Sequence, residues 1–324
     1  MKTKLASIAR IIISLFFLIL LFYLRRDSLG LTLETIKGLK PVIYASSCLT
    51  FVAAVTILAI RLTILLKAQN LSLRLPETMK LTFMGFFFNN FLPTAIGGDI
   101  VKGYYAYKKT GKKLVSFVSV FMDRYIGFLT LFILAGISLI FGYSHIKMAY
   151  LGWITAAILF ILILFLAVFL NKDLLKFFSI LRPLIELIKI RPQIEKLYNA
   201  INAFKDKKAL IGRAVAVSIF AQIIGFVTIY LLIKGLGNYI PLKTIFLLMP
   251  IISVISMLPS INGLGIRESA IYFFFGPYIG HENAFALSLL WLSLLFIASI
   301  IGGLCYLFGN YGGIGVIKKE GVIA

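Results

Sequence analysis

The sequence predicts an all-α polytopic membrane protein, in which about six full transmembrane helices and two re-entrant broken-helix hairpins form an inverted repeat. The first observation is composition: 60% of the 324 residues are hydrophobic and 14% are charged, whereas soluble domains carry about 25% charge. The second is the pattern LP[ST]xxG, which occurs at 92–97 and again at 258–263. Because proline removes a backbone donor and glycine tolerates unusual backbone angles, neither segment is expected to continue as one straight helix. We therefore expect a single integral membrane domain over residues 1–324.

Six apolar runs approach the ~20 residues that a helix needs to cross a bilayer. The first follows Lys2, Lys4 and Arg10 as a signal peptide would, but it lacks a small-residue cleavage site, so we interpret it as a retained span. The runs cover 8–24, 41–60, 114–142, 150–170, 211–234 and 284–308, and the two broken segments cover 81–103 and 244–276.

Each broken segment is predicted to enter and leave the membrane on the same side. The descending arm of the first covers 81–92 and extends roughly 18 Å at about 1.5 Å per residue, which reaches mid-membrane without crossing. With the N-terminus inside, most of the 33 Lys and Arg, Arg61 among them, fall on the cytoplasmic side, as the positive-inside rule requires. We therefore place both termini in the cytoplasm.

The two halves are predicted to be inverted copies, with repeat 1 at about 8–142 and repeat 2 at about 150–308. Leu92 and Leu258 are 166 positions apart, and the same offset carries the spans of the first half onto apolar runs of the second. Paired interruptions in the two halves of a transporter point to its binding site. The repeat therefore indicates a transport function.

Repeat 2 contains an amphipathic insertion at about 171–210 that has no counterpart of similar length in repeat 1. Its apolar residues, including Ile201 and Phe204, follow a helical stripe beside several lysines. We expect either an interfacial helix on the cytoplasmic leaflet or a cytoplasmic helical hairpin packed on the membrane core.

The net charge of +21 would suggest nucleic-acid binding in a soluble protein. Here the basic residues lie between apolar spans, where they contact anionic headgroups and set topology, so no nucleic-acid partner is expected. Cys48 and Cys305 lie inside apolar runs, and His145 and His281 lie singly in loops. This distribution predicts no metal site, no disulfide framework and no bound cofactor.

Ionisable residues inside the membrane segments are the main site candidates, because a charge at the centre of a spanning helix costs about 2.5 to 3.5 kcal/mol. Asp99 starts the returning arm of the first break, where it acts either as a helix cap or as a functional carboxylate. Lys102 lies on the same face. It is expected to pair with Asp99, to meet a lipid phosphate or to snorkel to the interface.

Asp123 and Arg124 lie near the midplane, about 15 to 17 Å along the helix from Lys113. Adjacent helical residues diverge by about 100°, so the two side chains are expected to seek different partners, one facing each broken hairpin. The alternative is a structural ion pair that locks two helices.

The second break combines Gly263, Gly265, Arg267 and Glu268. Exposed N–H groups, a helix start and a guanidinium together predict an anion site, although such glycines also serve close helix packing. We expect this break, rather than the first, to be the better substrate site.

The remaining polar and helix-breaking residues complete the predicted set. Asn90, Ser260 and Asn262 either contact substrate or satisfy freed backbone groups. No residue is predicted to be catalytic. Arg124, Arg267 and the N–H groups at the breaks are expected to receive a substrate phosphate, and Asp99, Asp123 and Glu268 are expected to orient these two cations or to carry a coupling proton. The residues predicted to interrupt the helices are Pro93, Gly97, Gly98 and Pro259.

Three ordered motifs carry a family resemblance that covers nearly the whole chain. They are NNFLP at 89–93 with GGD at 97–99, DRYIG at 123–127, and LPS at 258–260 with GLGIRE at 263–268. Together they resemble the lysylphosphatidylglycerol synthase transmembrane-region family, also called flippase-like proteins, to which the membrane domain of the multiple peptide resistance factor belongs.

The resemblance implies a lipid flippase in the cell membrane, with an anionic or aminoacylated phospholipid or a lipid-linked glycan as its partner. The full-length synthases carry a soluble aminoacyl-transferase domain after their membrane spans. This chain ends soon after its last predicted span, so we expect no aminoacyl transfer. Two alternatives are a membrane-embedded lipid-modifying transferase and a scaffold for an envelope glycosyltransferase, and the oligomeric state stays open.

Overall fold

The computed structural model describes residues 29–91, 97–142, 150–170, 199–258 and 263–309, together with residue 19. These residues are helical apart from short turns and connections, and the predicted first span, except residue 19, and residues 171–198 of the insertion lie outside them. The helices are α1 (Leu29–Lys37), α2 (Pro41–Ala68), α3 (Leu75–Phe91), α4 (Gly97–Thr110), α5 (Lys113–Gly142), α6 (Tyr150–Leu170), α7 (Lys208–Gly235), α8 (Leu242–Ile255), α9 (Ile266–Ile279) and α10 (His281–Leu307).

Long apolar helices dominate the described part of the chain. Four helical stretches are long and apolar enough to cross a membrane, namely α2, Lys113–Ile140 within α5, Asn199–Gly235, which ends with α7, and α10. Shorter apolar helices cover Gly152–Leu164 and Leu242–Ile255. The all-helical, multi-pass membrane class is therefore confirmed, while the count of six crossings and the re-entrant course of the hairpins stay predictions.

Both predicted breaks separate pairs of helices. The first lies between α3 and α4, and the second lies between α8 and α9. Pro93 and Pro259 lie outside the described residues. The prediction for the first arm was too short: α3 has 17 residues, because its first turn is polar and includes Glu77, which a search for apolar residues misses. At about 1.5 Å per residue, α3 is roughly 25 Å long.

The two halves have the same order of helices and the same packing partners. Four helices of the first half, α2 to α5, begin 167 to 169 residues before α7 to α10, respectively. The helix α3 packs on α10, and its counterpart α8 packs on α5. Likewise, α4 packs on α5 as α9 packs on α10, and α2 and α7 pack on each other. This exchange of equivalent contacts is the pattern that a two-fold internal repeat produces.

The prediction that α2 ends near residue 60, with Arg61 in a cytoplasmic loop, was wrong. The helix continues to Ala68, and Arg61 is 5% exposed inside the packed helices. The buried guanidinium is tolerated there because it donates hydrogen bonds to Asp123 and Ser218.

The described end of the insertion packs on the membrane core. Ile201 and Phe204 are buried in a cluster with residues of α2 and α5, including Leu65 and Met122. Gln69 at the end of α2 donates a hydrogen bond of 2.7 Å to the carbonyl oxygen of Ala200. For residues 199–204 this contact favours the packed alternative over a helix lying alone in the interface.

Candidate functional site

The first break is closed by a side chain from the preceding helix. Asn89 in α3 accepts a hydrogen bond of 2.7 Å from the backbone N–H of Gly98 through its Oδ1 atom. A Cβ atom at Gly98 would lie 2.1 Å from the carbonyl oxygen of Gly85 and 2.8 Å from Asn89 Oδ1. Glycine at 98 is therefore required by the close approach of the two arms, and Asn89 satisfies a backbone donor at the start of α4.

Asp99 is the third residue of α4 and holds two cations. Its Oδ1 atom lies 3.2 Å from Lys102 Nζ, and its Oδ2 atom accepts a hydrogen bond from Arg124 Nη1 of α5. Asp99 is 9% exposed. Of the alternatives for Lys102, the structure shows pairing with Asp99, and the carboxylate joins the start of α4 to α5.

A cavity of about 490 Å³ lies beside this ion pair, within the range of about 300 to 1,000 Å³ typical of small-molecule pockets. Met257, at the end of the arm formed by α8, lines it together with the first turn of α4, so residues next to both breaks reach the same space. Its lining residues are Asp99, Ile100, Leu114, Phe117, Val118, Val120, Phe121, Arg124, Tyr125, Phe128, Leu162 and Met257.

Arg124 is the cation that reaches the cavity. Its side chain is 28% exposed, and its guanidinium lies 5.7 Å from the centre of the Phe128 ring. One oxygen of Asp99 binds Nη1, whereas Nε is buried and has no hydrogen-bond partner among the described residues. Buried polar groups are normally paired, and this unpaired donor belongs to a residue that lines the cavity.

Asp123 does not face a broken hairpin, contrary to the expectation from helix geometry. Its Oδ1 atom accepts a hydrogen bond of 2.7 Å from Arg61 Nε of α2, while Arg61 Nη1 donates to Ser218 Oγ of α7 at 2.8 Å. A Cβ atom at Gly127 would lie 2.9 Å from Arg61 Nη1, so glycine makes room for the guanidinium. The alternative of a structural ion pair therefore describes Asp123, and the network ties α5 to both α2 and α7.

Arg61 was not predicted as a partner of Asp123, because it was grouped with the basic residues that follow it in the sequence, from Lys67 onward. The available signal was the mostly apolar run that continues after it, with Leu62, Ile64, Leu65 and Leu66 around Thr63. A charge followed by such a run is inside the helix, not at its end.

The second break is neutralised by its own carboxylate. Glu268 Oε1 accepts hydrogen bonds from Arg267 Nε at 3.0 Å and Nη2 at 2.6 Å, and its Oε2 atom accepts one from the N–H of Gly265 at 2.6 Å. Gly263 and Gly265 have φ angles of +74° and +82°, which glycine adopts without strain. Arg267 is 7% exposed and Glu268 is 2% exposed.

The groups predicted to receive an anion at the second break are therefore already engaged within the chain. Glu268 accepts hydrogen bonds from the Arg267 guanidinium and from the Gly265 N–H at the helix start. The cavity described above lies instead beside Asp99 and Arg124. Asn90 lies half-buried in the last turn of α3, and Ser260 and Asn262 lie outside the described residues. Within the described chain, no cluster of three His, Cys, Asp or Glu residues could hold a metal ion.

The arrangement is chemically suited to an amphipathic ligand that carries an anionic group. Among the described residues the walls are mainly aromatic and aliphatic, and the charged lining side chains are Asp99 and Arg124. A guanidinium binds phosphate with planar, bidentate hydrogen bonds. Leu114 and Phe121, about two helical turns apart on α5, are exposed at 40% and 47%, so this side of the cavity borders the apolar surface.

Comparison with known proteins gives one family. Residues 7–303 match the family model described as the lysylphosphatidylglycerol synthase TM region. No curated protein matches the chain.

Proposed function

This chain belongs to the lysylphosphatidylglycerol synthase transmembrane-region family, and from that membership and its cavity we propose that it is a lipid flippase of the cell membrane. Its cargo is an anionic or aminoacylated phospholipid, or a lipid-linked envelope precursor, that moves between leaflets. Both termini lie in the cytoplasm. The protein transfers no chemical group, and the lipid leaves with the covalent structure with which it entered.

The observation that carries the proposal is the cavity beside Arg124. Residues on one face of α5, from Leu114 through Phe121 to Phe128, provide apolar walls, and Arg124 lies on the same face. A lipid has the matching arrangement, because its phosphate requires a cation and its acyl chains require an apolar surface. Arg124 is therefore assigned to the phosphate, and the exposed side of α5 is assigned to the chains.

The repeated packing pattern supports a transport cycle. In transporters with inverted repeats, substrate sites lie between the repeats, beside discontinuous helices, and the repeats rock against each other around the site. Here Asp99 follows the first break, Met257 precedes the second, and both line the cavity. Rocking of the two halves would expose the site to one leaflet and then to the other.

A proteoliposome assay tests the proposal. A fluorescent phosphatidylglycerol is incorporated in both leaflets, and a membrane-impermeant quencher reports the fraction that becomes accessible with time. The wild type is expected to make the inner-leaflet fraction accessible, and Arg124→Ala is expected to slow this at least about tenfold, as for loss of a charge-assisted hydrogen bond. The control is Arg213→Ala, which removes an exposed arginine from α7. Equal rates for all three proteins would refute the role of Arg124, and a wild-type rate equal to that of protein-free vesicles would refute the flippase.

The same vesicles distinguish transport from group transfer. Lipids extracted after the assay, with labelled aminoacyl and sugar donors present, are expected to be chemically unchanged. A covalently modified lipid that forms only with the wild-type protein would instead identify a membrane-embedded transferase.

A further inference from the structure

We infer that the cavity selects a lipid headgroup of net negative charge and rejects one of net positive charge, such as an aminoacylated phosphatidylglycerol. This inference rests on the flippase function proposed above and narrows its cargo. The structural basis is the composition of the ion cluster at the cavity, formed by Asp99, Lys102 and Arg124.

The cluster carries an unbalanced positive charge. In their ordinary ionised forms two cations and one carboxylate sum to one positive charge. Lys102 Nζ and Arg124 both contact Asp99, and Asp99 is the acidic side chain among the described residues that line the cavity. A headgroup with one negative charge neutralises this cluster, whereas a positive headgroup adds to the imbalance.

Asp99 has little capacity left for a substrate ammonium group. One carboxylate oxygen faces Lys102 and the other accepts the Arg124 hydrogen bond. A ligand amine would have to displace one of these cations, and both are held by their own helices. Like charges brought together at a binding site disfavour the partner that carries them.

Arg124, in contrast, retains donors for a phosphate. The guanidinium has five N–H donors, and Asp99 engages Nη1, while Nε is buried and has no partner among the described residues. Its side chain is 28% exposed. A phosphodiester oxygen can therefore bind Arg124 while the Asp99 contact is kept.

The aromatic walls do not reverse this preference. Aromatic rings can bind an ammonium group through their faces, but Arg124 already lies over the Phe128 ring at 5.7 Å. A second cation at that ring would lie next to the guanidinium. The rings are better suited to glycerol and acyl carbons, which bring no charge.

The test measures transport of three lipids that share one fluorescent acyl chain and differ in headgroup charge. Phosphatidylglycerol is negative, phosphatidylethanolamine is neutral overall, and lysyl-phosphatidylglycerol is positive. Each is added in trace amount to phosphatidylcholine vesicles, and quencher accessibility gives its rate. The expected order follows headgroup charge, with phosphatidylglycerol at least about tenfold faster than lysyl-phosphatidylglycerol. Lysyl-phosphatidylglycerol moving as fast as or faster than phosphatidylglycerol would overturn the inference and leave the flippase function intact.

A binding measurement keeps the inference testable if no lipid moves, an outcome that would refute the flippase itself. Native mass spectrometry of the wild-type protein, equilibrated with equal amounts of phosphatidylglycerol and lysyl-phosphatidylglycerol, reports which of the two lipids it retains. Preferential retention of phosphatidylglycerol supports the charge selectivity, and equal retention refutes it.

Two variants shift the cluster charge in opposite directions. Lys102→Gln is expected to reduce the preference to within about threefold, because it leaves one cation and one carboxylate. Asp99→Asn is expected to increase the preference, because it leaves two cations. The control is Lys113→Gln, which removes an exposed charge near the start of α5 and should retain the wild-type ratio. If neither cluster variant changes the ratio, the cluster does not set the selectivity.

Discussion

Asp99 and Glu268 occupy the same position in the two halves, as the third residue of the helix that follows each break, yet their carboxylates point to different partners. Glu268 turns back to Arg267 and to the N–H of Gly265. Asp99 reaches outward to Lys102 and to Arg124 of another helix. One break is therefore neutralised within itself, and the other places a partly exposed cation at a cavity.

The difference follows from which side chain accepts the hydrogen bond of the free backbone N–H at each helix start. At the first break Asn89 accepts the Gly98 N–H, so Asp99 is not needed as a local acceptor. At the second, Glu268 itself accepts from Gly265, which uses one of its oxygens and fixes the side chain against the backbone. A capping partner from a neighbouring helix thus leaves an acidic residue available for a binding site.

The largest expected effect is at the second break. Glu268→Ala leaves Arg267 buried without its carboxylate and is expected to destabilise the protein by about 3 to 5 kcal/mol, as when one member of a buried ion pair is removed. Thermal unfolding in detergent micelles measures the loss. The matched control is the double variant R267M/E268Q, which removes the charge and keeps an acceptor for Gly265, and it should recover most of the stability. A melting temperature for Glu268→Ala equal to that of the wild type would contradict the structural role of the pair.

A smaller loss of stability is expected when a methyl group is added at the first break. In Gly98→Ala the new Cβ atom would lie 2.1 Å from the Gly85 carbonyl oxygen, so the two arms must separate, at a cost of about 1 to 3 kcal/mol. The control, Gly225→Ala, adds a methyl group inside α7 where no atom lies within 4 Å. It should leave the melting temperature unchanged or higher, and similar losses in both variants would show that close packing of the arms is not the cause.

Asp99→Asn is expected to destabilise the fold by about 1 kcal/mol, because Arg124 is partly exposed and the amide oxygen still accepts its hydrogen bond. Unfolding midpoints of Asp99→Asn and Glu268→Gln, measured side by side, sharpen the comparison between the two carboxylates. The second variant should lose more stability. The reverse order would mean that the first break, too, is mainly structural.

The smallest effect concerns the end of the α3 and α4 pair that lies away from the break, where Lys109 Nζ donates a hydrogen bond of 2.6 Å to Glu77. This bond holds the pKa of Glu77 below its usual range. A carboxyl with a lower pKa in the folded state adds stability above its unfolded pKa, and this is lost as pH falls through the folded value. Glu77→Gln should therefore cost about 0.2 to 1 kcal/mol at neutral pH and nothing in acid. A difference in melting temperature that persists in acid would contradict this assignment.

The sequence was sufficient for the order of the long apolar helices among the described residues and for most of the buried charges, but not for Arg61 inside α2 or for the first turn of α3. The broken segments, the offset between the halves and the buried charges of α4, α5 and α9 all follow from hydropathy and from proline and glycine. The bond between Glu268 and Gly265 was also readable, since an acidic residue three positions after a helix start has the spacing of a capping box.

The choice of partners could not be predicted, because it depends on the rotation and packing of helices distant in sequence. Arg61 and Asp123 are 62 residues apart, and only their helices' contact brings them together. The same applies to Arg124, which was assigned with Arg267 to one phosphate but lies beside Asp99 at the cavity. The second break was preferred because the N–H groups and the guanidinium that could bind an anion there are close together in sequence. Glu268, which accepts hydrogen bonds from Gly265 and Arg267, is equally close in sequence.

The account's central claim is that the first break binds the lipid and the second break supports the structure. It is tested most directly by comparing lipid flipping by Arg124→Met with that by R267M/E268Q in the same vesicles, at equal amounts of folded protein. The account predicts that Arg124→Met falls at least about tenfold, while the double variant keeps more than about half of the wild-type rate. Loss of flipping in the double variant, with Arg124→Met as active as the wild type, would contradict it.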